Sequence, residues 1–353
     1  MNCNDENEKN SSICQLQKCC KFLVYAEAEV FHLKEMHRFG VAKNHACASR
    51  RFAEFLHSIG KRDVLFAKMK PVLMADFERW MKSRGICRNT SSCYLRSLSA
   101  IWNKAVREGL ASGNPFMGTF RGVARTKKRS VDTDTISRLQ SLDIEAMLTD
   151  NRQKHVNKKL HQHINRLMRS RDLFLFSFCA RGIAFVDMAY LKKSDVKGNT
   201  ISYVRRKTGQ RIDVQVEAMM NDILQRYQTD TPYLLPILTE EHDEQLMYRQ
   251  YQNALHLYNK SLAELGKMLG VKLTSYVSRH SWATMARQHE LPLSVISQAL
   301  GHDSVHTTEI YLKSLDGNII DKANHALLEQ VFKKDKRRKN TGTFLYRNRS
   351  TSA

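Results

Sequence analysis

The sequence predicts a mainly α-helical protein with one small β-sheet, and three patterns support this. Apolar side chains recur at helical spacing through most of residues 20–116 and again after Leu246, as they do on amphipathic helices. Two short runs at 201–204 and 212–216 have the composition of strands. Glycine and proline residues separate these segments. We therefore expect helices in both halves of the chain and a sheet built around a single hairpin.

Residues 20–118 are predicted to form a small domain of about four helices, after a disordered tail at 1–19. The run Gly113-Asn114-Pro115 is a stop signal for the last of these helices. The last two predicted helices carry basic residues that form either a DNA-facing stripe or an ordinary solvated face. Both interpretations stay open for these four residues: Arg88, Arg96, Lys104 and Arg107.

Residues 119–132 are predicted to be a basic linker, because they are rich in arginine and lysine and poor in apolar residues. Arg125, Lys127 and Lys128 lie in this stretch. Such a linker can follow a phosphate backbone while two domains grip different faces of a duplex, so we count these three residues among the candidate DNA contacts.

The second domain is predicted to span residues 133–333, followed by a basic disordered tail at 334–353. An apolar helix over 173–180 leads to Arg181. Lys207 lies between the two predicted strands, next to the turn residues Thr208 and Gly209. A helix that starts at Pro292 should end at Gly301, because glycine tolerates the left-handed conformation found after helix ends. His302 then lies at the helix exit.

The composition favours a polyanionic partner. The formal net charge is +22 and the isoelectric point is about 9.7, which makes nucleic acid the leading candidate and a merely basic protein the alternative. No apolar stretch approaches the ~20 residues of a membrane helix. The eight cysteines form no CxxC pair, so we expect no zinc site.

Five side chains spread along the second domain suit a single phosphodiester. Two arginines can each donate a pair of parallel hydrogen bonds from a planar guanidinium group to phosphate oxygens. A lysine and a histidine can donate protons or hydrogen bonds, and a tyrosine can attack phosphorus. In chain order the five are Arg181, Lys207, Arg279, His302 and Tyr311.

The ordered set of these five residues resembles the catalytic domain of the tyrosine recombinases, or phage integrases. The resemblance covers residues 181–312 and extends more weakly over residues 20–132. It implies a helical, SAM-like core-binding domain followed by an α+β catalytic domain.

One position departs from the family, because Tyr276 stands where the family has a histidine. A phenol is a poor base at neutral pH. We therefore hypothesise that Tyr276 gives the phosphate a hydrogen bond and that His302 does more of the remaining polar work. His280 is interpreted as structural. Asp187, six residues after Arg181, is either a support for an arginine or a surface or capping aspartate.

The resemblance implies a site-specific recombinase of the kind found on mobile elements. Such an enzyme cleaves and rejoins double-stranded DNA through a 3′-phosphotyrosyl intermediate, with neither a cofactor nor a metal. It also implies a homotetramer on two DNA sites, in the bacterial cytoplasm with the nucleoid. An apolar stripe on the last predicted helix suits either exchange between protomers or docking on its own domain, and its members are Ile319, Ala323, Leu327 and Val331.

Two further readings of the sequence compete with a recombinase. The first is an enzyme of related chemistry, such as a type IB topoisomerase or a hairpin-forming resolvase. The second is a DNA-binding regulator that has lost catalysis, which the departure at Tyr276 favours and the five intact residues oppose.

Overall fold

The structure is a computed structural model, and it describes four ranges and one further residue: 21–124, 129–149, 158–239, 243–302 and Thr308. Contacts within the chain divide it into two compact units, residues 1–127 with 240–254 and residues 128–239 with 255–353. The predicted class, mainly α with a small sheet, is confirmed. None of the described helices is both long enough and apolar enough to cross a bilayer.

Four α-helices form residues 21–124, as the sequence predicts. Their core is aromatic: the Phe22 and Phe52 rings meet edge to face at 5.8 Å, and the Phe52 and Phe77 rings at 5.1 Å. All three side chains are fully buried, and each contributes about 1.5–3 kcal/mol by leaving water. The helices are α1 (Phe22–Glu35), α2 (Phe39–Ser58), α3 (Pro71–Ser83) and α4 (Arg88–Arg107).

Hydrogen bonds between helices and loops close the ends of this first unit. Asp63 Oδ1 accepts the Leu23 amide at 2.9 Å, which satisfies one of the unpaired donors in the first turn of α1. The Trp102 indole donates to the Gly113 carbonyl at 3.0 Å. That bond ties the predicted stop signal back to α4, which itself ends six residues earlier, at Arg107.

The second unit is arranged around one long helix, α7, which contacts α5, α6, α9 and α11. The sequence predicted only its last turns, at 173–180. The helix α10 contributes residues to both units. The helices after α4 are α5 (Thr133–Gln140), α6 (Ile144–Leu148), α7 (Lys158–Cys179), α8 (Phe185–Ala189), α9 (Ala218–Arg226), α10 (Glu244–Met268), α11 (Val277–Gln288) and α12 (Leu293–Leu300).

Two buried polar contacts fix α7 against its neighbours. Asp172 accepts hydrogen bonds from Arg226 and, at 2.9 Å, from the Tyr227 hydroxyl, which holds α9 in place. Five residues further along α7, the Ser177 and Ser278 hydroxyls meet at 2.9 Å. Both serines are buried, and a buried hydroxyl requires a partner. This pair therefore holds the last turn of α7 beside the start of α11.

A three-stranded antiparallel sheet follows α8, in the order β1-β2-β3. The strands are β1 (Val196–Lys197), β2 (Thr200–Val204) and β3 (Arg211–Gln215). The hairpin β2–β3 is confirmed, with Tyr203 paired to Ile212 and Val204 to Arg211. The sequence did not predict β1, because a two-residue strand is too short to show any alternation.

Candidate active site

Arg181 and Gly182 follow the end of α7, and both have left-handed backbone conformations. The φ angle is +57° at Arg181 and +73° at Gly182. Glycine enters this region freely, whereas a residue with a side chain is strained there by about 1–3 kcal/mol. The Gly182 amide donates to the Ser177 carbonyl at 2.8 Å and closes the helix. Arg181 therefore lies at a helix exit, and the chain leaves α7 at once.

Arg279 packs directly against this turn, although it is 97 residues from Gly182 in the sequence. A β-carbon on Gly182 would lie 2.6 Å from the Arg279 Cα, so only glycine permits the approach. The Arg279 side chain is buried, and its Nη1 donates to the Gly182 carbonyl at 2.8 Å. Because Arg181 precedes Gly182, the structure brings the two predicted arginines together.

Lys207 lies exposed in the turn between β2 and β3, as predicted. The Arg205 amide donates to the Gln210 carbonyl at 2.8 Å, and the Gly209 amide donates to the Arg205 carbonyl at 2.8 Å. These two bonds close the loop that carries the lysine. The side chain of Arg181 reaches the same hairpin, since its Nη1 is 3.4 Å from the Asp213 carbonyl.

Helix α12 ends at Gly301, whose φ of +60° and ψ of +47° confirm the predicted left-handed stop. A β-carbon on Gly301 would lie 2.6 Å from Ile212 Cδ1, so this turn packs on β3 without space for a side chain. His302 follows at the helix exit and is partly buried. Its Nδ1 is 2.8 Å from the Thr308 hydroxyl, a contact that fixes the orientation of the imidazole ring.

Three consecutive carbonyls at this helix end each accept a hydrogen bond from a distant side chain. Arg279 Nη2 donates to the Leu300 carbonyl. The Gly301 carbonyl accepts from Arg205 Nη1 and, at 3.2 Å, from the Thr208 hydroxyl. Gln210 Nε2 donates to the His302 carbonyl at 3.2 Å.

This row of contacts satisfies carbonyls that a helix end leaves without an intrahelical partner. It also connects the elements that carry three of the predicted residues, Lys207, Arg279 and His302. The hairpin that carries Lys207, the turn that carries His302 and the Arg279 guanidinium are held together by direct bonds.

Asp187 is buried and supports the hairpin, and its carboxylate also interacts electrostatically with the predicted Arg279. Its Oδ1 accepts the Arg206 amide at 2.9 Å, and its Oδ2 is 3.9 Å from Arg205 Nε. Burial raises the pKa of the Asp187 carboxyl, while the Arg206 amide and Arg205 oppose that shift. The residue does not share a helix with Arg181, since α7 ends at Cys179.

Tyr276 immediately precedes α11 and is 50% exposed. It lies three residues before Arg279, and side chains at that spacing share one face of a helix. Because Tyr276 is half exposed, a ligand can reach its side chain. The His280 ring is 5.9 Å from the Tyr276 ring and is partly buried within the helix packing.

Several predicted residues lie outside the described part of the chain. They are Tyr311, Arg125, Lys127 and Lys128, together with the stripe from Ile319 to Val331. Their roles stay predictions.

The four basic residues predicted on α4 differ in their surroundings. Lys104 is partly buried and forms ion pairs with Glu29 and Glu108. The Arg88 guanidinium lies 3.9 Å from the centre of the Phe120 ring. Arg96 and Arg107 are exposed. The predicted DNA-facing stripe thus includes one lysine that is already neutralised by carboxylates.

Sequence reasoning missed two features with a bearing on function. One is Arg205, whose buried position continues the inward register of Ile201 and Tyr203 on β2; that period of two was a usable signal. The other is a groove on the first unit with a volume of about 980 Å³. Its basic lining residues come from α2, from the loop after it and from the end of α3: Arg50, Arg51, Lys61, Arg62 and Arg84.

Comparison with known proteins adds sequence evidence. The pattern of the Phage integrase SAM-like domain matches residues 21–123, and that of the Phage integrase family matches residues 152–317. Tyrosine recombinase XerS of Streptococcus agalactiae serotype III (strain NEM316) is 23% identical over 320 residues. That alignment spans 79% of this chain and 85% of XerS.

Two solved structures share the fold. The Tn1549 transposon integrase in complex with transposon right end DNA superposes with a TM-score of 0.55 at 12% identity, over 88% of this chain and 99% of that one. A lambda integrase tetramer bound to a Holliday junction gives a TM-score of 0.54 at 12% identity, over 84% and 79% of the respective chains.

The fold and the matches define the class of protein, a DNA strand-breaking and rejoining enzyme. The chain belongs to the phage integrase family, the tyrosine recombinases, and its activity is site-specific DNA recombination.

Proposed function

We propose that Tyr311 is the nucleophile of this recombinase and that it becomes joined to a 3′ phosphate. Its Oη–phosphorus bond forms as the bond from phosphorus to the 5′ oxygen breaks. The phenol proton passes to a base, and the departing 5′ oxygen takes up a proton to become a hydroxyl. A 5′-hydroxyl from a second duplex then attacks the phosphotyrosine and reseals the backbone.

Arg181 and Arg279 would stabilise the charge that develops on the non-bridging oxygens. The contact of Gly182 with the Arg279 backbone supports this role for the two arginines. It is the single observation that carries the proposal. The Arg279 guanidinium, held by hydrogen bonds to two backbone carbonyls, does not have to reorganise as charge develops. Tyr276, on the exposed side near Arg279, would add a neutral hydrogen bond.

Lys207 would protonate the departing 5′ oxygen, because an alkoxide is a poor leaving group. Its exposed position in the hairpin turn leaves it able to reach a substrate. His302 would hold a phosphate oxygen or help to deprotonate Tyr311. The exchange replaces one phosphodiester by another of similar energy, so it needs no nucleotide cofactor, and the protein groups supply the charge stabilisation without a metal.

The DNA partner would be held by both units. Residues 20–118 and 133–333 would act as two domains joined by the basic linker 119–132. Exposed Arg96 and Arg107, the linker residues and the basic groove of the first unit offer positive charge for the phosphate backbone.

We propose a tetramer on two DNA sites for the complete reaction, since two duplexes have four strands to cleave. The solved lambda integrase tetramer on a Holliday junction supports that stoichiometry. The apolar stripe on residues 319–331 would be exchanged between protomers. Action on chromosomal DNA would place the protein with the nucleoid.

A covalent-adduct assay tests the proposal. Duplexes that bind the Tyr311→Phe protein are selected from a randomised pool and remade with single nicks at successive positions. Wild-type protein should give a DNA adduct that survives boiling in detergent, because a nick near the cleaved bond lets the short product diffuse away. Tyr311→Phe should give none.

A second candidate is a DNA-binding regulator without catalysis, which the tyrosine at position 276 favours. It predicts selective binding and no adduct from wild-type protein on any nicked duplex. Supercoil relaxation on DNA without the selected site would instead indicate a topoisomerase.

A further inference from the structure

Arg205 is a buried cation beside the candidate site, and none of the predicted roles uses it. Arg205 is only 5% exposed. Its Nη1 donates to the Gly301 carbonyl, and its Nε lies 3.9 Å from Asp187 Oδ2. Buried charges are retained only when they are paired and hydrogen-bonded. Asp187 supplies the charge partner and Gly301 supplies the hydrogen-bond acceptor.

The backbone of Arg205 belongs to the turn that carries Lys207. Its amide donates to the Gln210 carbonyl, and its carbonyl accepts from the Gly209 amide at 2.8 Å and from the Thr208 amide at 3.3 Å. Arg205 therefore closes the loop around Lys207 through both its amide and its carbonyl. Its side chain then fixes that loop on the Gly301 carbonyl, across a separation of 96 residues.

The two sides of this contact are not equally well anchored. The turn at Gly301 keeps its own helical bonds, because the His302 amide donates to Ser297 at 3.0 Å and the Gly301 amide donates to Gln298 at 2.9 Å. Arg279 also holds the Leu300 carbonyl. Loss of the Arg205 contact should therefore leave His302 in place.

The Lys207 loop is held mainly by side chains and not by helical backbone bonds. Besides the sheet itself, its described contacts include the Arg206 amide bond to Asp187, the Arg206 guanidinium 4.0 Å from the centre of the Tyr190 ring, and the side-chain bonds of Arg205, Thr208 and Gln210. Two of these three side-chain bonds reach the Gly301 carbonyl, and the Thr208 bond at 3.2 Å is the neutral one. A charge-assisted bond is about twice as strong as a neutral one. Without Arg205, the hairpin should shift away from the Gly301 carbonyl, and Lys207 should move with it.

We propose that Arg205 is a positioning residue that fixes Lys207 for protonation of the 5′ leaving group by holding the hairpin on the Gly301 carbonyl. This role rests on the proposed function. The buried Arg205 thus sets the position of Lys207, an exposed and flexible general acid.

The test separates leaving-group protonation from every other step. In ordinary DNA the bond from phosphorus to the 5′ oxygen breaks and that oxygen needs a proton. In DNA with a sulfur at the 5′ bridging position, the phosphorus–sulfur bond breaks and a thiolate leaves without a proton, since thiols are far more acidic than alcohols. A defect in general-acid catalysis should therefore disappear on the sulfur substrate.

Arg205→Met should form the covalent adduct about 100-fold more slowly than wild type on ordinary DNA, at saturating protein, in line with the typical contribution of a general acid. On the sulfur substrate it should come within about threefold of wild type. Lys207→Ala should behave in the same way. Lys197→Met, an equal loss of charge at an exposed position on β1 of the same sheet, should be normal on both substrates.

Two results would overturn the proposal: equal slowing of Arg205→Met on both substrates, or no slowing on either, whether or not Lys207→Ala is slow. Arg205→Lys, which keeps the charge beside Asp187, replaces Arg205→Met if the latter does not fold, and it should show the same sulfur rescue with a smaller defect.

A measurement without DNA keeps the inference separate from the proposed function. Amide hydrogen exchange across residues 206–209 should be faster in Arg205→Met than in wild type, while exchange in α12 stays unchanged. Unaltered exchange at the hairpin would contradict the inference even if the enzyme is active. No adduct from wild-type protein on either substrate would instead refute the proposed function.

Discussion

Replacing Gly182 by alanine should destabilise the second unit by about 2–5 kcal/mol. Two terms add to this value. A left-handed residue with a β-carbon is strained by about 1–2 kcal/mol, and the φ angle at Gly182 is +73°. The new β-carbon would also lie 2.6 Å from the Arg279 Cα and 2.9 Å from its Cβ. Overpacking of this kind costs about 1–3 kcal/mol.

Gly198→Ala is the matched control, because it isolates the second term. Gly198 also has a positive φ, of +57°, but a β-carbon there would meet nothing within 4 Å. It should lose only about 1–2 kcal/mol. Both variants stiffen the unfolded chain equally, so the difference between them, about 1–3 kcal/mol, reports the contact with Arg279.

The assay is urea unfolding followed by amide exchange in α7, so that the second unit alone is observed. The first unit then does not contribute to the transition, which matters because chains with two domains need not unfold in one step. A Gly182→Ala variant no less stable than Gly198→Ala would refute the close approach of the Arg181–Gly182 turn to Arg279, and with it the juxtaposition of the two arginines.

The remaining predictions concern catalysis, assembly and pH. Tyr276→Phe should slow cleavage roughly 10- to 100-fold, the worth of a hydrogen bond to a charged group; an unchanged single-turnover rate would remove Tyr276 from the site. Deleting the chain from Ile319 should spare binding in a gel-shift assay and impair recombination, and normal recombination would count against helix exchange. Changing Lys127 and Lys128 to alanine should flatten the salt dependence of binding by up to about 1.8 units of log–log slope, whereas a sequence-selective loss would indicate base or shape readout. Asp187→Asn should remove one source of pH-dependent stability. Burial raises the pKa of the Asp187 carboxyl above its value of 3.8 in the unfolded chain, so the folded state binds that proton more tightly. The free energy of unfolding of wild type, relative to the variant, should therefore rise as the pH falls through the raised pKa toward 3.8. Parallel urea-unfolding profiles of the two proteins would disprove that.

The parts of the fold that sequence could predict are those with a local cause. The hairpin follows from strand-like composition around Thr208 and Gly209, and the end of α12 follows from Gly301. The extent of α7 was underestimated because its first half is largely polar outside the face that packs on the core. Periodicity is weak where only a narrow stripe is buried.

The arrangement at the site depended on contacts that no local pattern encodes. The sequence predicted a helix over 173–180 that leads to Arg181, but not the approach of Arg279 to Gly182 in the turn that follows it. Arg205 was missed because a charged residue beside a strand end is usually solvated. Its burial depends on Asp187 and on the Gly301 carbonyl, which are distant in the chain.

The row of hydrogen-bonded carbonyls at Leu300, Gly301 and His302 has a consequence for biosynthesis. The side chains that hold it leave the ribosome long before their acceptors do, because the bonds span 21 to 96 residues. A nascent chain that ends before Leu300 has nothing on which the lysine loop can dock. Contacts with such wide sequence separation also form late in folding. The Lys207 loop and the Arg279 guanidinium therefore reach their observed positions only after residues 300–302 have been made and folded.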